Sequence, residues 1–188
     1  MSCRRKETFF TKVLVNERVC GTVIDSSIWI NMASTYLVEK LNLPTFPHPK
    51  PYKFRWSTES EAFEVTEQVI ISFTIGKYSD KVVCDVAPLL TCHLQLGQLW
   101  ELSENGFYDS YTKAYHLCKK GKKFKVIPLP QHQINEERLE IQRKFLQWNK
   151  GDKQSGKSHQ DENCNGFDHS PRKREKRERY QENLFCHV

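Results

Sequence analysis

Residues 19–35 read VCGTVIDSSIWINMAST, an apolar run that ends on a single carboxylate, Asp25. Val23 and Ile24 are β-branched and favour a half-buried strand, while Asp25, Ser26 and Ser27 suit the turn that ends it. Most aspartates after a strand only form a turn, so Asp25 needs support from the rest of the chain. Immediately upstream, strand-like runs at 9–15 and 19–24 flank Asn16, Glu17 and Arg18, which have the length and polarity of a hairpin loop. Immediately downstream, Asn31 is placed to cap a short helix in which Ala33, Leu37 and Leu41 recur at helical spacing, with Pro44 closing it. Pro44, Pro47, Pro49 and Pro51 then predict an extended, helix-free connector, because each ring fixes φ and restricts its predecessor.

The β pattern continues from there. Residues 52–56 and 62–66 are strand candidates joined by the polar tip Ser57, Thr58, Glu59, Ser60 and Glu61, a projecting hairpin suited to act as a lid. Residues 68–75 and 81–87, rich in Val and Ile, form the clearest hairpin, turning between Gly76 and Asp80. Residues 93–97 are a short apolar strand ending in Gly97, followed by a brief helix over 98–104. A last hairpin over 111–118 and 123–127 turns at Lys119, Lys120, Gly121 and Lys122. Residues 134–149 set Ile134, Leu139, Ile141, Phe145 and Trp148 among charges and read as a roughly amphipathic helix. Beyond Lys150 apolar residues nearly vanish, which predicts disorder. The organisation expected is a mainly β domain over 8–130 with one or two short helices, an appended helix or linker over 131–149, and a disordered polar and basic tail over 150–188.

A chain of 188 residues builds one core of ordinary size and leaves a tail, without room for a second full domain. Its formal charge is +6, from 29 Lys and Arg against 23 Asp and Glu. Residues 1–149 hold 20 basic and 16 acidic side chains, and 150–188 hold nine and seven. Net charge therefore gives no argument for nucleic-acid binding; only local clustering does. Seven cysteines are scattered with no C-x-x-C pair, a spacing that disfavours zinc and favours free buried thiols. No apolar run has signal-peptide or membrane-span length, so no membrane partner is expected, and the setting expected is a reducing cytoplasm or nucleus.

A second landmark supports Asp25. Leu94, Gln95, Leu96 and Gly97 form an apolar strand ending in glycine about seventy residues later, and the pair of landmarks resembles a retropepsin, the retroviral type of aspartic protease. Much of residues 8–130 is similar to the protease segment of plant gypsy-type LTR retrotransposon polyproteins. The similarity lies at residues 12–16 (KVLVN), 23–25 (VID), 31–34 (NMAS), 37–41 (LVEKL), 43–45 (LPT), 49–52 (PKPY), 65–69 (VTEQV), 72–76 (SFTIG), 84–86 (CDV) and 92–94 (CHL). Residues 127–145 are similar to that family's linker toward its reverse transcriptase. The resemblance implies a closed β barrel acting as a homodimer on a polypeptide substrate, with Asp25 as the catalytic residue of each subunit and no cofactor. It makes Ser26, Ser27 and Gly97 the support of the catalytic loop. Residues 56–63 (Trp56, Ser57, Thr58, Glu59, Ser60, Glu61, Ala62 and Phe63) become the flap over the substrate. Ser27 stands where the family has glycine, Gln95 interrupts the apolar triplet, and Gln98 and Leu99 stand where gypsy elements often have Arg-Pro.

Two readings of function follow: an aspartic endopeptidase that processes a retrotransposon polyprotein, or a decayed protease-like domain kept as a fragment or dimerising scaffold. A third concerns the tail alone, where Arg172, Lys173, Arg174, Lys176, Arg177 and Arg179 form a basic run suited to nucleic acid or an import receptor. Glu175 and Glu178 within it favour a merely solvated segment.

Overall fold

The computed structural model describes residues 8–56 and 61–155, with side chains through Gly151. Of the two units into which the chain divides, Met1–Gln154 and Ser155–Val188, the account below is of the first. Of the tail expected to be disordered over 150–188, residues 150–155 are helical, and the rest, with its basic run, lies outside the described residues.

The first hairpin joins β1 (Thr8–Val15) to β2 (Arg18–Asp25) through Asn16 and Glu17, at φ 46° and 63°. Two consecutive residues at positive φ give the type I′ turn that matches strand twist, so the loop is one residue shorter than expected. β3 (Met32–Ser34) leads into helix α1 (Thr35–Lys40). The cap is Ser34, whose Oγ accepts from the Leu37 N–H at 3.0 Å, and not Asn31 as the sequence suggested. The cap moves because β3 pairs with strands on both sides and keeps the chain extended through Ser34.

The proline-rich connector becomes strand β4 (Thr45–Phe54), which pairs with β5 (Phe63–Ile75) with a shift of register between Pro47 and Tyr52. β5 turns into β6 (Tyr78–Ala87) at Gly76 and Lys77, with Gly76 at φ 57°. After β7 (Leu94–Leu96) comes α2 (Gln98–Ser103). The strand order is β1-β2-β7-β3-β6-β5-β4, and β1 also pairs with β5 at Leu14↔Thr74 and Val15↔Phe73. That last pairing closes the strand connections into a circuit, with β4 outside it as the edge. A mainly β body with short helices is thus what both sequence and structure give.

β1 is buried on both faces at Phe9 and Phe10, and this divides the apolar interior in two. Phe9, Val13 and Val15 join the main core with Ile24, Ile71, Phe73, Tyr78 and Trp100. Phe10 points the other way, into a second cluster with Val23, Met32, Leu89, Cys92 and Ile141. Ile141 belongs to α3 (Gln131–Ser155), the predicted helix extended at both ends. α3 buries a narrow stripe led by Ile141 and Phe145, pairs Glu137 with Lys12 at 2.6 Å, and lays Arg138 over the Phe10 ring at 5.5 Å. Gly21 in β2 makes room for it: a Cβ there would meet Ile141 Cδ1 at 2.8 Å and Phe10 Cζ at 3.0 Å. Neither α3 nor any other helix of the described residues is long and apolar enough to cross a membrane.

A separate sheet, β10-β9-β8, is made of β8 (Phe107–Asp109), β9 (Ala114–Lys119) and β10 (Lys122–Val126). A buried charge cluster ties it to the body. Asp80 of β6 accepts from Tyr78 Oη at 2.9 Å, from Trp100 Nε1 at 2.7 Å and from Lys119 Nζ of β9. Burial pushes the Asp80 carboxyl up, but the hydrogen bonds from Lys119, the Lys81 N–H, Trp100 and Tyr78 outweigh it and hold it below the ordinary value. Glu104, beside the same lysine at 3.8 Å, is shifted upward by burial and by the charge of Asp80. The described cysteines Cys20, Cys84, Cys92 and Cys118 are free thiols. Burial pushes Cys20 up to about 11, so it packs as a neutral apolar group.

Two outcomes are expected. Ile141→Val should cost about 1 kcal/mol by thermal or urea unfolding, and Gly21→Ala more; because the added methyl and the lost Cδ1 compete for one space, the double variant should be more stable than the two costs predict. The stability that Asp80 contributes is fully present above its ordinary value of 3.8 and is lost as pH falls through the lower value it takes in the fold. Asp80→Asn should therefore lower the melting temperature at pH 7 and differ from wild type progressively less in acid.

Candidate active site

The cross-strand register places the site. Residues directly opposite in paired strands share a face, and Phe10↔Val23, Val23↔Gln95, Gln95↔Met32, Met32↔Asp85 and Asp85↔Gln68 make one continuous row over β1, β2, β7, β3, β6 and β5. Asp25, two residues beyond Val23, ends β2 on that same face. The row is thus a buried layer with the Asp25 carboxylate at one margin. Cys92, in the cluster on that face, is pushed up to about 12 chiefly by burial, and the charge of Asp25 adds to the shift.

Asp25 begins a tight loop. Its Oδ1 accepts from the Ser27 N–H at 2.9 Å, and its carbonyl accepts from the Ile28 N–H at 3.3 Å. No hydrogen bond from the described residues reaches Oδ2, so one carboxylate oxygen is left for a water or a second polar group. Ser26 is half-buried and Ser27 exposed. Ser27 is not among the residues at positive φ, so the backbone restriction expected from replacing a loop glycine does not arise in this conformation.

The loop is held from below by Gly97. The Gly97 N–H donates to Asn31 Oδ1 at 2.9 Å, the Gln98 N–H to the Ile28 carbonyl at 2.8 Å and the Leu99 N–H to the Trp29 carbonyl at 3.1 Å. Asn31 Nδ2 in turn donates to the Val83 carbonyl at 3.3 Å. A Cβ on Gly97 would lie 2.3 Å from the Ile30 carbonyl oxygen and 2.7 Å from that of Ile28. Glycine is required here by closeness of approach, and Asn31, read from the sequence as a cap, is the latch between loop, β6 and α2.

The predicted flap is the β4–β5 hairpin. Phe54, Trp56 and Phe63 form an aromatic group at its root, with ring centroids 4.9 Å apart for Phe54 and Trp56 and 5.6 Å for Phe54 and Phe63. Phe54 and Phe63 pack against the second cluster, which places this root over the Asp25 face. Glu61 and Ala62 are exposed, and the predicted tip residues Ser57, Thr58, Glu59 and Ser60 lie outside the described residues.

Sequence reading missed what anchors the hairpin. Asp85 is only 5% exposed, and it accepts from Tyr52 Oη at 2.6 Å and Gln68 Nε2 at 2.8 Å, with His48 Nε2 at 3.5 Å. Three of β4's residues are prolines, which cannot donate to the ladder, and this side-chain clip fastens the strand where the ladder is interrupted. The signal was present: a lone carboxylate inside a Val-rich strand has to be paired if it is buried. Burial, then the Asp85 hydrogen bond and charge, raises the Tyr52 hydroxyl far above its ordinary value, so Tyr52 serves as a donor.

No family model matches the chain, and no curated protein does. Among solved structures it is similar to the retroviral protease-like domain of Ddi1 from Leishmania major, at 10% identity and a TM-score of 0.48, over 70% of this chain and 98% of that one. It is also similar to a retropepsin-like aspartic protease from Rickettsia conorii, at 17% identity and a TM-score of 0.38, over 59% of this chain and 92% of that one. Likenesses this remote assign neither activity nor partner to the chain.

Gly97→Ala tests the geometry of the loop. The methyl meets backbone atoms that no rotamer change moves aside, so the cost should reach the upper end of overpacking penalties, about 3 kcal/mol by urea unfolding. Gly151→Ala, with nothing within 4 Å of the added Cβ, is the control and should be neutral or slightly stabilising.

Proposed function

We propose that this chain is a retropepsin-like aspartic endopeptidase domain whose catalytic centre is completed by a second copy. The observation that carries the reading is Asp25 at the end of β2, with one carboxylate oxygen open, in a loop latched by Gly97 and Asn31 and faced by an aromatic-rooted hairpin. One carboxylate cannot be both base toward water and acid toward the peptide nitrogen. Two held close share a proton, because like charges in contact do not both ionise, and the protonated and ionised partners then divide these tasks.

A twofold axis through the Asp25 loop supplies the second carboxylate from the same gene. The surface at that loop suits self-association: Trp29 is 54% exposed and Leu99 46%, and the two are joined by a backbone hydrogen bond. An extended polypeptide would lie across the Asp25 loop, covered by the β4–β5 hairpin. The similarity to gypsy-type elements makes a retrotransposon polyprotein the substrate context of the proposal and the cytoplasm or nucleus its setting.

Ser27 and the buried Gln95 favour a second reading, a folded domain without catalysis. Cleavage of a peptide library by the full chain at mildly acidic pH, alongside sedimentation, separates the two. The enzyme reading expects a dimer, inhibition by a transition-state analogue of aspartic proteases, and a loss of about a hundredfold or more on Asp25→Asn. Asp25→Asn cleaving at the wild-type rate would remove Asp25 from the mechanism. Ser27→Gly, which deletes a side chain at the loop surface without relieving backbone strain, should raise the rate; a dimer inert in both forms establishes the second reading.

A further inference from the structure

The β8–β9–β10 sheet has one face committed to the body and one in solvent. Tyr108, Tyr115, Leu117 and Val126 pack inward against the main core. Alternation puts the neighbouring residues outward, and the register aligns Phe107, His116 and Lys125 as one cross-strand row, with Lys123 opposite Cys118 beside it. Phe107 is 48% exposed and lies nearly parallel to the His116 ring, with centroids 5.2 Å apart and planes at 17°. The two rings stack on each other, and Phe107 keeps about half of its surface in water.

Charge is concentrated around it. Residues 105–127 hold six lysines and one carboxylate, Asp109. Lys119 is taken by Asp80, but none of Lys120, Lys122, Lys123 and Lys125 is paired with a carboxylate among the described residues. Asp109 accepts from Thr112 Oγ1 at 2.7 Å and the Tyr111 N–H at 2.9 Å, and its Oδ2 lies 3.9 Å from His116 Nε2. The near-balanced charge of the whole chain conceals this local excess, and neither the Asp25 loop nor the hairpin over it uses these residues.

We propose that this outer face binds single-stranded nucleic acid, with bases stacking on Phe107, backed by His116, and phosphates meeting Lys123 and Lys125. The combination of an exposed ring with unpaired cations is what unpaired bases on a polyanion recognise. A duplex hides its base faces and offers phosphates and groove edges but no ring face to stack on, so single strands are preferred. The proposal is independent of any activity at Asp25.

The test is fluorescence anisotropy of a labelled 20-nucleotide oligo-dT with the full chain, between 50 and 200 mM salt, competed with duplex DNA of equal length and with phosphatidylserine vesicles. Wild type should bind with a salt-dependent affinity and prefer the single strand. Lys123→Gln with Lys125→Gln should weaken binding and reduce the magnitude of the log–log salt slope by about 1.4, some 0.7 for each lysine. Phe107→Ala should weaken binding about tenfold and leave the salt slope unchanged, while Phe107→Tyr keeps it. All are surface substitutions, and melting temperatures equal to wild type confirm that the fold is intact. The proposal is overturned if wild type does not bind, if duplex or vesicles compete better than unlabelled oligo-dT, or if the Phe107 and Lys variants bind as wild type does, which would assign any binding to another part of the chain.

Discussion

Backbone packed on backbone, where Gly97 meets the carbonyls of Ile28 and Ile30, sets the position of everything near Asp25. The contact is short enough that the strand β7 must end in a residue without a side chain, and the hydrogen bonds made by Gly97, Gln98 and Leu99 then register the loop against the start of α2. Because β7 also pairs with β2 and β3, the carboxylate, its loop and the buried layer beside them are fixed by one three-residue strand. A loop that carries reactive groups is precise only to the extent that rigid elements hold it, and here they hold it from both ends.

Two buried carboxylates do the joining that main-chain ladders cannot. Asp85 gathers Tyr52, Gln68 and His48 where prolines interrupt the β4–β5 ladder, and Asp80 gathers Tyr78, Trp100 and Lys119 where the second sheet meets the first. Each charge is desolvated, and each is tolerable because several donors satisfy it at once. The loss of a single partner leaves the remaining group buried and short of a bond, which makes these junctions more sensitive to substitution than apolar contacts of similar size.

Much of this was legible in the chain, and the exceptions have causes. β-branched residues gave β1 and β2 nearly to their ends, whereas β5 reads from the sequence as two strands, 62–66 and 68–75, and β6 as beginning three residues late; Asp25 and Gly97 announced themselves as polar or flexible breaks after apolar strands. Asn31 was misread because a helix cap and a tertiary latch use the same amide chemistry, and only the neighbours of β3 decide between them. β4 looked like a connector because prolines are rare in strands; it is a strand because Asp85, forty residues after Thr45, supplies the missing attachment. β8, three residues long, has no periodicity to detect. α3 showed its apolar positions, but that Gly21 is the groove in which Ile141 lies is a fact about two surfaces meeting.

The prolines of β4 also bear on how copies of this body can meet. An unpaired sheet edge is a template onto which another chain can add a strand, and the pairing of Leu14 and Val15 with β5 covers the end of the β1 edge. The other edge is β4, where Pro47, Pro49 and Pro51 withdraw three amide donors and the shifted register breaks the straight run that an incoming strand would need. Growth by edge-to-edge addition of the large sheet is thereby hindered, and with it a common route to fibrous aggregates. Assembly that does not use the edges of the smaller sheet is left to loop and helix surfaces, and a twofold contact there closes on itself as a dimer.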